Sequence, residues 1–307
     1  MDFSLTVLGS SSATPTKLRN PSAQIVKYNN KLFLVDCGEG TQMQMLKYGI
    51  KSNRINHIFI SHLHGDHYLG LPGLIFTFHL MGRKKELHIF SPPELENIIK
   101  LHISVANTVL SYPLVFHDIS KTHSCTIYED NDIEVSAFAL KHRIPTYGFF
   151  FKEKKKAYNI IKSAIAKYEL SVEDIQKAKS GETVYDIDGK IIPHHLICKK
   201  PSLQRSFAYC SDTAYHKEIV KNIKGVSLLY HEATFAEDMK ETAAEKYHAT
   251  AAQAASIAKE AKAKKLLIGH FSARYKTTEK LLSEARHIFP DTAIAEEGEE
   301  YEILPPL

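Results

Sequence analysis

Ile60-Ser61-His62-Leu63-His64-Gly65-Asp66-His67 places three imidazoles and a carboxylate within positions 62 to 67. Upstream, Ile55, Ile58, Phe59 and Ile60 form a short apolar run that reads as a buried strand. Downstream, Tyr68-Leu69-Gly70-Leu71-Pro72-Gly73-Leu74-Ile75-Phe76 reads as the start of an apolar helix. The cluster is therefore expected on a strand-to-helix turn, where side chains converge and helix amides face them. Histidine and aspartate at this density are costly in an interior unless a metal or a hydrogen-bond network satisfies them. Nitrogen and oxygen donors without thiolate suit zinc in a hydrolytic site, with Mn2+ or Fe2+ as the other ions such a set accepts. His62 and His64 can grip one ion, and Asp66 and His67 a second. The plainer readings are a surface histidine cluster or a single structural zinc.

The pattern His-x-His-x-Asp-His resembles the motif of the metallo-β-lactamase superfamily. That resemblance implies a further histidine downstream, then a bridging aspartate, then a last histidine. The chain offers His142 in Ala-Leu-Lys-His-Arg, Asp212 in Cys-Ser-Asp-Thr and His270 after Lys265-Leu-Leu-Ile-Gly269. Each follows a predicted strand, at the edge where α/β sheets keep their ligands.

Four further stretches narrow the resemblance. Leu8 to Asn20 contains Pro-x-Lys17-x-Arg19-Asn, and Asp36-Cys-Gly-Glu-Gly-Thr-Gln42 follows a strand. His231-Glu232-Ala-Thr234 follows another, and His248-Ala-Thr250 precedes an alanine-rich helix. Together these resemble the ribonuclease Z family, in its short bacterial form, over nearly the whole chain. The fold implied is α/β: two sheets between helix layers, the αβ/βα four-layer sandwich, as one catalytic domain over residues 1–307.

The resemblance also implies a chemistry. His62, His64 and His142 would hold one Zn2+, Asp66, His67 and His270 a second, with Asp212 between them. Asp66 would orient the attacking water and take its proton. His248 would protonate the leaving 3′ oxygen, with Glu232 holding its imidazole in the donating form. The implied reaction removes the 3′ trailer from precursor tRNA after the discriminator nucleotide, leaving a tRNA 3′-hydroxyl and a 5′-phosphorylated trailer. Lys17 and Arg19 would serve substrate discrimination; their plainer reading is a basic surface turn. A homodimer, with no nucleotide cofactor, is the implied assembly.

Residues 152–200 break the alternation of strands and helices. They hold 11 lysines, no arginine and 7 acidic residues, a net of +4. Lys152-Glu-Lys154-Lys155-Lys156 opens the stretch, and Tyr158, Ile160, Ile161, Ala164, Ile165 and Tyr168 follow at roughly helical spacing. Ser171-Val-Glu-Asp174 can cap a second short helix. In ribonuclease Z proteins an arm that binds the body of tRNA is inserted here, so Lys154, Lys155 and Lys156 are candidate phosphate contacts with salt-dependent binding. The family's arm carries a Gly- and Pro-rich tip, whereas this stretch has only Gly181, Gly189 and Pro193. In isolation such a charge run reads as a solvated helical excursion.

Composition bounds the rest. Across 307 residues, 44% hydrophobic content is ample for a large core. A formal charge of +4 leaves nucleic-acid contacts to local patches. Four cysteines without Cys-x-x-Cys spacing read as reduced thiols of a cytoplasmic protein. No basic leader and no 18-residue apolar run is present, so no membrane span is expected.

Helices are expected near 40–48, 67–81, 93–109, 214–223, 250–262 and 277–288, with Thr250 and Gln253 as a capping box. Strands are expected near 3–8, 23–28, 31–36, 56–61, 87–91, 113–118, 132–140, 146–151, 206–210, 226–231, 265–270 and 292–296. His57, His79, His88, His102, His117, His123, His194, His195, His216 and His287 fit no ligand position and read as packing or surface residues. His231 is ambiguous beside Glu232. The rival functions are a metal-dependent phosphodiesterase acting on small or other RNA substrates, and a non-catalytic RNA-binding subunit, which predicts missing ligands.

Overall fold

The computed structural model describes residues 2–120 and 125–305, so His123 lies outside the described residues. By internal contacts the chain divides into two units: residues up to 152 together with those from 205 onward, and residues 153–204.

The larger unit is built on two seven-stranded sheets. The first contains β1 (Phe3–Gly9), β2 (Ala23–Tyr28), β3 (Lys31–Cys37), β4 (Ile55–Phe59), β5 (Leu87–Ser91) and β6 (Leu114–Asp118). The second begins with β7 (Cys125–Glu129), β8 (Ile133–Leu140) and β9 (Thr146–Glu153). Helices α1 (Thr41–Lys47), α2 (Gly65–Tyr68), α3 (Gly70–Leu80) and α4 (Glu94–Val105) belong to the first half.

The smaller unit holds two short ladders, β10 (Asn159–Ile160) with β13 (Cys198–Lys199) and β11 (Val184–Tyr185) with β12 (Ile191–Ile192). Helices α5 (Lys162–Lys167), α6 (Val172–Ser180) and α7 (His194–Ile197) join them. Its core gathers Ala164, Leu170, Ala178, Val184, Ile192, Ile197 and Cys198. The capping box at Ser171 forms: its Oγ accepts from Asp174 N, and the Asp174 carboxylate accepts from Ser171 N. The helical spacing from Tyr158 is realised only from Lys162, because Asn159 and Ile160 pair with Lys199 and Cys198 instead.

The second half of the larger unit adds β14 (Ser206–Cys210), β15 (Leu228–Glu232), β16 (Lys265–Gly269), β17 (Thr292–Ile294) and β18 (Glu300–Glu302). Its helices are α8 (Lys240–Glu245), α9 (Ala251–Glu260) and α10 (Glu279–Ile288). The sheet orders are β18-β1-β2-β3-β4-β5-β6 and β17-β16-β15-β14-β9-β8-β7. From β3 to β6, and from β14 to β17, neighbouring strands run parallel. Their carboxyl ends are thus available to build a site.

Alternating residues explain the layering. Phe3, Leu5 and Val7 on β1 join Phe33, Phe59, Phe149, Phe207 and Leu267 in a core between the sheets. Ile25, Leu34 and Ile58 face the opposite way and pack with Leu71, Leu74, Ile75, Leu95 and Ile99 of α3 and α4. Ala208, Leu229 and Leu266 meet the alanines of α9 together with Leu281 and Ala285 of α10. The result is the four-layer sandwich expected from the sequence.

Five elements differ from expectation. β7 and β18 are short edge strands, largely exposed and without a buried residue, so neither leaves a buried apolar run to read. Residues 214–223 form only a 3-10 turn at Lys217–Lys221. The helix expected over 67–81 is broken at Leu69. A Cβ on Gly70 would stand 2.1 Å from Gly38 O, so the chain can make this close approach only with glycine. α8 was not expected. Among the described residues no helix is long and apolar enough to cross a membrane.

Candidate metal centre

Seven side chains converge at the carboxyl ends of the strands. His62, His64, Asp66 and His67 come from the turn after β4 and the start of α2, for which His64 is the N-cap residue. His142 follows β8, Asp212 follows β14 and His270 follows β16. His270 adopts φ +59°, a left-handed conformation that a non-glycine residue holds at some energetic cost.

The donors of the seven side chains form two groups, and Asp212 and His270 also meet His248 in a third set. In one, His64 Nδ1 lies 3.1 Å from His62 Nε2 and 3.2 Å from His142 Nε2. In the other, Asp66 Oδ2 lies 3.3 Å from His67 Nε2 and 3.4 Å from His270 Nε2. Asp212 faces both. Its Oδ2 is 3.7 Å from His62 Nε2 and from His142 Nε2, and its Oδ1 is 3.4 Å from His67 Nε2 and 3.1 Å from His270 Nε2. Within each group the ligand atoms lie within 4.8 Å of one another.

The buried atoms His67 Nε2 and Asp212 Oδ1 have no hydrogen-bond partner. Leaving such atoms bare costs about 1–3 kcal/mol each, and convergent lone pairs repel unless a cation lies among them. The residues fit a divalent metal centre.

Partners behind the ligands aim them. His142 Nδ1 donates to Tyr247 O at 2.8 Å, and His67 Nδ1 donates to Asp36 Oδ2 at 2.7 Å. His62 Nδ1 lies 3.0 Å from Ser61 Oγ, and His270 Nδ1 lies 3.0 Å from Thr234 Oγ1. With one ring nitrogen occupied, the other presents its lone pair to the centre. Asp36 is fully buried and accepts four bonds, from Ser61 N, Ser61 Oγ, Tyr209 OH and His67. Ala13 N donates to Asp66 Oδ2 at 2.7 Å.

Burial and neighbouring imidazoles hold His62 well below the usual histidine range. For His67 burial acts downward, but Asp66, Asp212 and Asp36 outweigh it and raise the pKa well above that range. His248 Nδ1 lies 2.9 Å from Glu232 Oε1. Burial would lower its pKa, yet Glu232 raises it to about 9. The fully buried Glu232 also accepts from Thr213 N, Thr234 N and Thr234 Oγ1.

A cavity of about 470 Å³ opens over the centre, lined by Asp66, Asp212, His248 and His270 and by Arg143 and Lys246. These two cations were not among the sequence candidates; nothing in their spacing marked them. Nor does the sequence show the roles of Asp36, Ser61, Tyr209 and Thr234, although Asp36, Ser61 and Thr234 lie in stretches that stand out.

Lys17 is exposed, whereas Arg19 is half-buried: its Nη2 donates to Tyr275 O at 2.6 Å and its guanidinium stacks on Phe271. In the smaller unit Lys155 is exposed and Lys154 half-buried, and Lys156 Nζ lies 3.3 Å from Glu153 Oε1. His231 is buried, with Nδ1 on Glu232 O, and joins neither ligand group.

Comparisons with known proteins give the family and the fold. A family model described as anti-Pycsar protein Apyc1 matches residues 3–163, and one described as a β-lactamase superfamily domain matches 201–271. Ribonuclease Z of Bacteroides thetaiotaomicron is 46% identical over 296 residues, 96% of this chain and 94% of the relative. Ribonuclease Z of Cytophaga hutchinsonii is 46% identical over 302 residues, 98% of this chain and 96% of the relative. The crystal structure of the short form of human tRNase Z superposes with a TM-score of 0.72 at 27% identity, covering 98% of this chain and 99% of that one. A metallo-β-lactamase fold protein of Bacillus subtilis, 17% identical, superposes with a TM-score of 0.70 over 98% of this chain and 100% of its own. It shares the fold.

Proposed function

The chain belongs to the ribonuclease Z family and is a tRNA 3′-processing endoribonuclease, and from that premise we propose a two-zinc hydrolysis that cuts precursor tRNA after the discriminator nucleotide. The observation that carries the two-metal part is Asp212, whose two carboxylate oxygens face two separate histidine groups. His62, His64 and His142 would hold one ion, and Asp66, His67 and His270 the other, with Mn2+ or Fe2+ as alternatives to Zn2+. When bound, such ions would lower the pKa of the attacking water and neutralise charge on a phosphodiester.

The chain's own groups supply the rest. Asp66, held by Ala13 N, orients the attacking water and takes its proton. Glu232 accepts from His248 Nδ1, which leaves Nε2 to donate a proton to the departing 3′ oxygen. Arg143 and Lys246 line the cavity and attract the phosphate backbone. The products are a tRNA ending in a 3′-hydroxyl and a trailer with a 5′-phosphate. The family reading also proposes a cytoplasmic homodimer, RNA contacts from Lys17 and Arg19, and tRNA binding by the inserted arm, 152–200, through Lys154, Lys155 and Lys156.

Cleavage of two RNAs by the zinc-loaded protein tests the reading: a precursor tRNA with a U-rich trailer, and an unstructured RNA of matched length. One cut after the discriminator in the folded substrate alone is expected. Hydrolysis of a simple phosphodiester with neither RNA cut would replace this reading with that of a small-substrate phosphodiesterase.

A further inference from the structure

A second cavity, of about 290 Å³, shares His248 with the metal cavity and is lined on its other sides by Lys141, Tyr215, Tyr247 and Gln253 among others. Its position beside His248 matters because of the stereochemistry of the cut. The proton from His248 goes to the 3′ oxygen of the nucleotide upstream of the scissile phosphate. That ribose must therefore lie within about 2.6–3.2 Å of the imidazole, and its base needs a place nearby.

The lining has the chemistry to receive a base. Tyr215 packs partly against the core formed with α9 and α10, which anchors its ring. Tyr247 sits at φ +57°, with its carbonyl accepting from His142 Nδ1, so the metal centre itself holds its backbone. The residue stays 39% exposed. Lys141 is exposed at the end of β8, directly before the ligand His142. Aromatic faces with a neighbouring cation are how single-stranded RNA is gripped without base selection.

We propose that this cavity is the subsite for the nucleotide immediately 5′ to the cut, with Tyr215 and Tyr247 as stacking surfaces for its base and Lys141 beside its 5′ phosphate. The inference rests on the family reading above and adds the place of one nucleotide. Stacking is indifferent to base identity, so all four discriminator bases are accepted, purines somewhat better than pyrimidines.

A cycle of enzyme and substrate changes tests it. Wild type, Tyr247→Ala, Tyr247→Phe and Tyr215→Ala are each assayed, metal-loaded, on a precursor tRNA and on the same RNA made abasic at the discriminator. Bound metal is measured in parallel. Each alanine variant should lose about 5–150-fold in kcat/KM on the intact RNA, little on the abasic RNA, and Tyr247→Phe should retain activity. Losses that multiply across enzyme and substrate overturn the subsite. If Tyr247→Ala loses metal, Tyr215→Ala decides by the same criterion. A wild-type enzyme that fails to cut the intact precursor overturns the family reading and the subsite with it, whereas cutting with multiplied losses overturns the subsite alone.

Discussion

The chain carries two groups of histidines, one along the first sheet and one at the strand ends of both sheets, and only the second is built for a metal. His57, His88 and His117 lie on the neighbouring parallel strands β4, β5 and β6. Their rings stack face to face, with centroids 5.2 and 5.3 Å apart and interplanar angles of 18° and 26°. One nitrogen pair meets, His88 Nδ1 and His117 Nε2 at 3.0 Å, and the nearby Glu86 is largely exposed. Among the described residues, ligand groups occur only around Asp212, Asp66 and their histidines. The ladder lies within strands, where parallel backbones keep side chains side by side. The metal histidines lie past strand ends, where the chain turns and their nitrogens can point at one place. Histidine density alone therefore marks nothing; convergence with buried carboxylates does.

The largest test of this contrast is Asp212→Ala against His88→Asn. Losing the carboxylate that faces both ligand groups should empty the centre and lower cleavage about 10⁴-fold or more, since the ions contribute several kcal/mol of charge stabilisation besides the nucleophile. His88→Asn should keep full metal content by elemental analysis; loss of metal there would break the comparison. Next in size, His248→Ala should cost about 10²–10³-fold in kcat with metal retained. Equal loss of metal would make His248 a ligand instead of a proton donor.

A smaller effect concerns the partners behind the ligands. Tyr209→Phe removes one of four bonds to Asp36 and loosens the aim of His67. Metal affinity in the group of Asp66, His67 and His270 should fall about 10-fold, and up to about 100-fold for Asp36→Asn. Titration with a competing chelator would read this, and an unchanged affinity would leave Asp36 a purely structural role.

The last effect belongs to the ladder and touches stability without touching metal or cleavage. Burial first, and then His88, lower His57 to about 4, with Asp130 opposing and His117 and Arg83 adding to the shift. The unfolded chain binds this proton at an ordinary histidine pKa of about 6.5, so stability falls as pH drops through 6.5 and levels off below 4. By pH 5 the loss is about 2 kcal/mol. His57→Phe should flatten that part of the denaturation-versus-pH curve, while an unchanged slope would assign it to other groups.

The fold was legible where patterns are local. The apolar run of β4 and the alanine-rich stretch of α9 read directly, and so did the capping boxes at Ser171 and Thr250. The helix expected over 214–223 failed because its apolar residues pack from a 3-10 turn, with Ile219 and Ile223 in the core. β7 and β18 carry no legible period because edge strands bury too little to show one.

Spacing by itself determined that His62, His64, Asp66 and His67 share one turn, since six residues cannot carry them far apart. The order of strand ends, read with the family resemblance, pointed to His142, Asp212 and His270. Only the tertiary structure decided which nitrogen each ring presents, that Tyr209 reaches across 173 positions of sequence to hold the Asp36 carboxylate that braces His67, and that Arg143 and Lys246 line the cavity. The reason is the range of the forces involved. Hydrophobic periodicity is written every two or four residues, but a hydrogen bond selects its partner only when distant strands lie side by side.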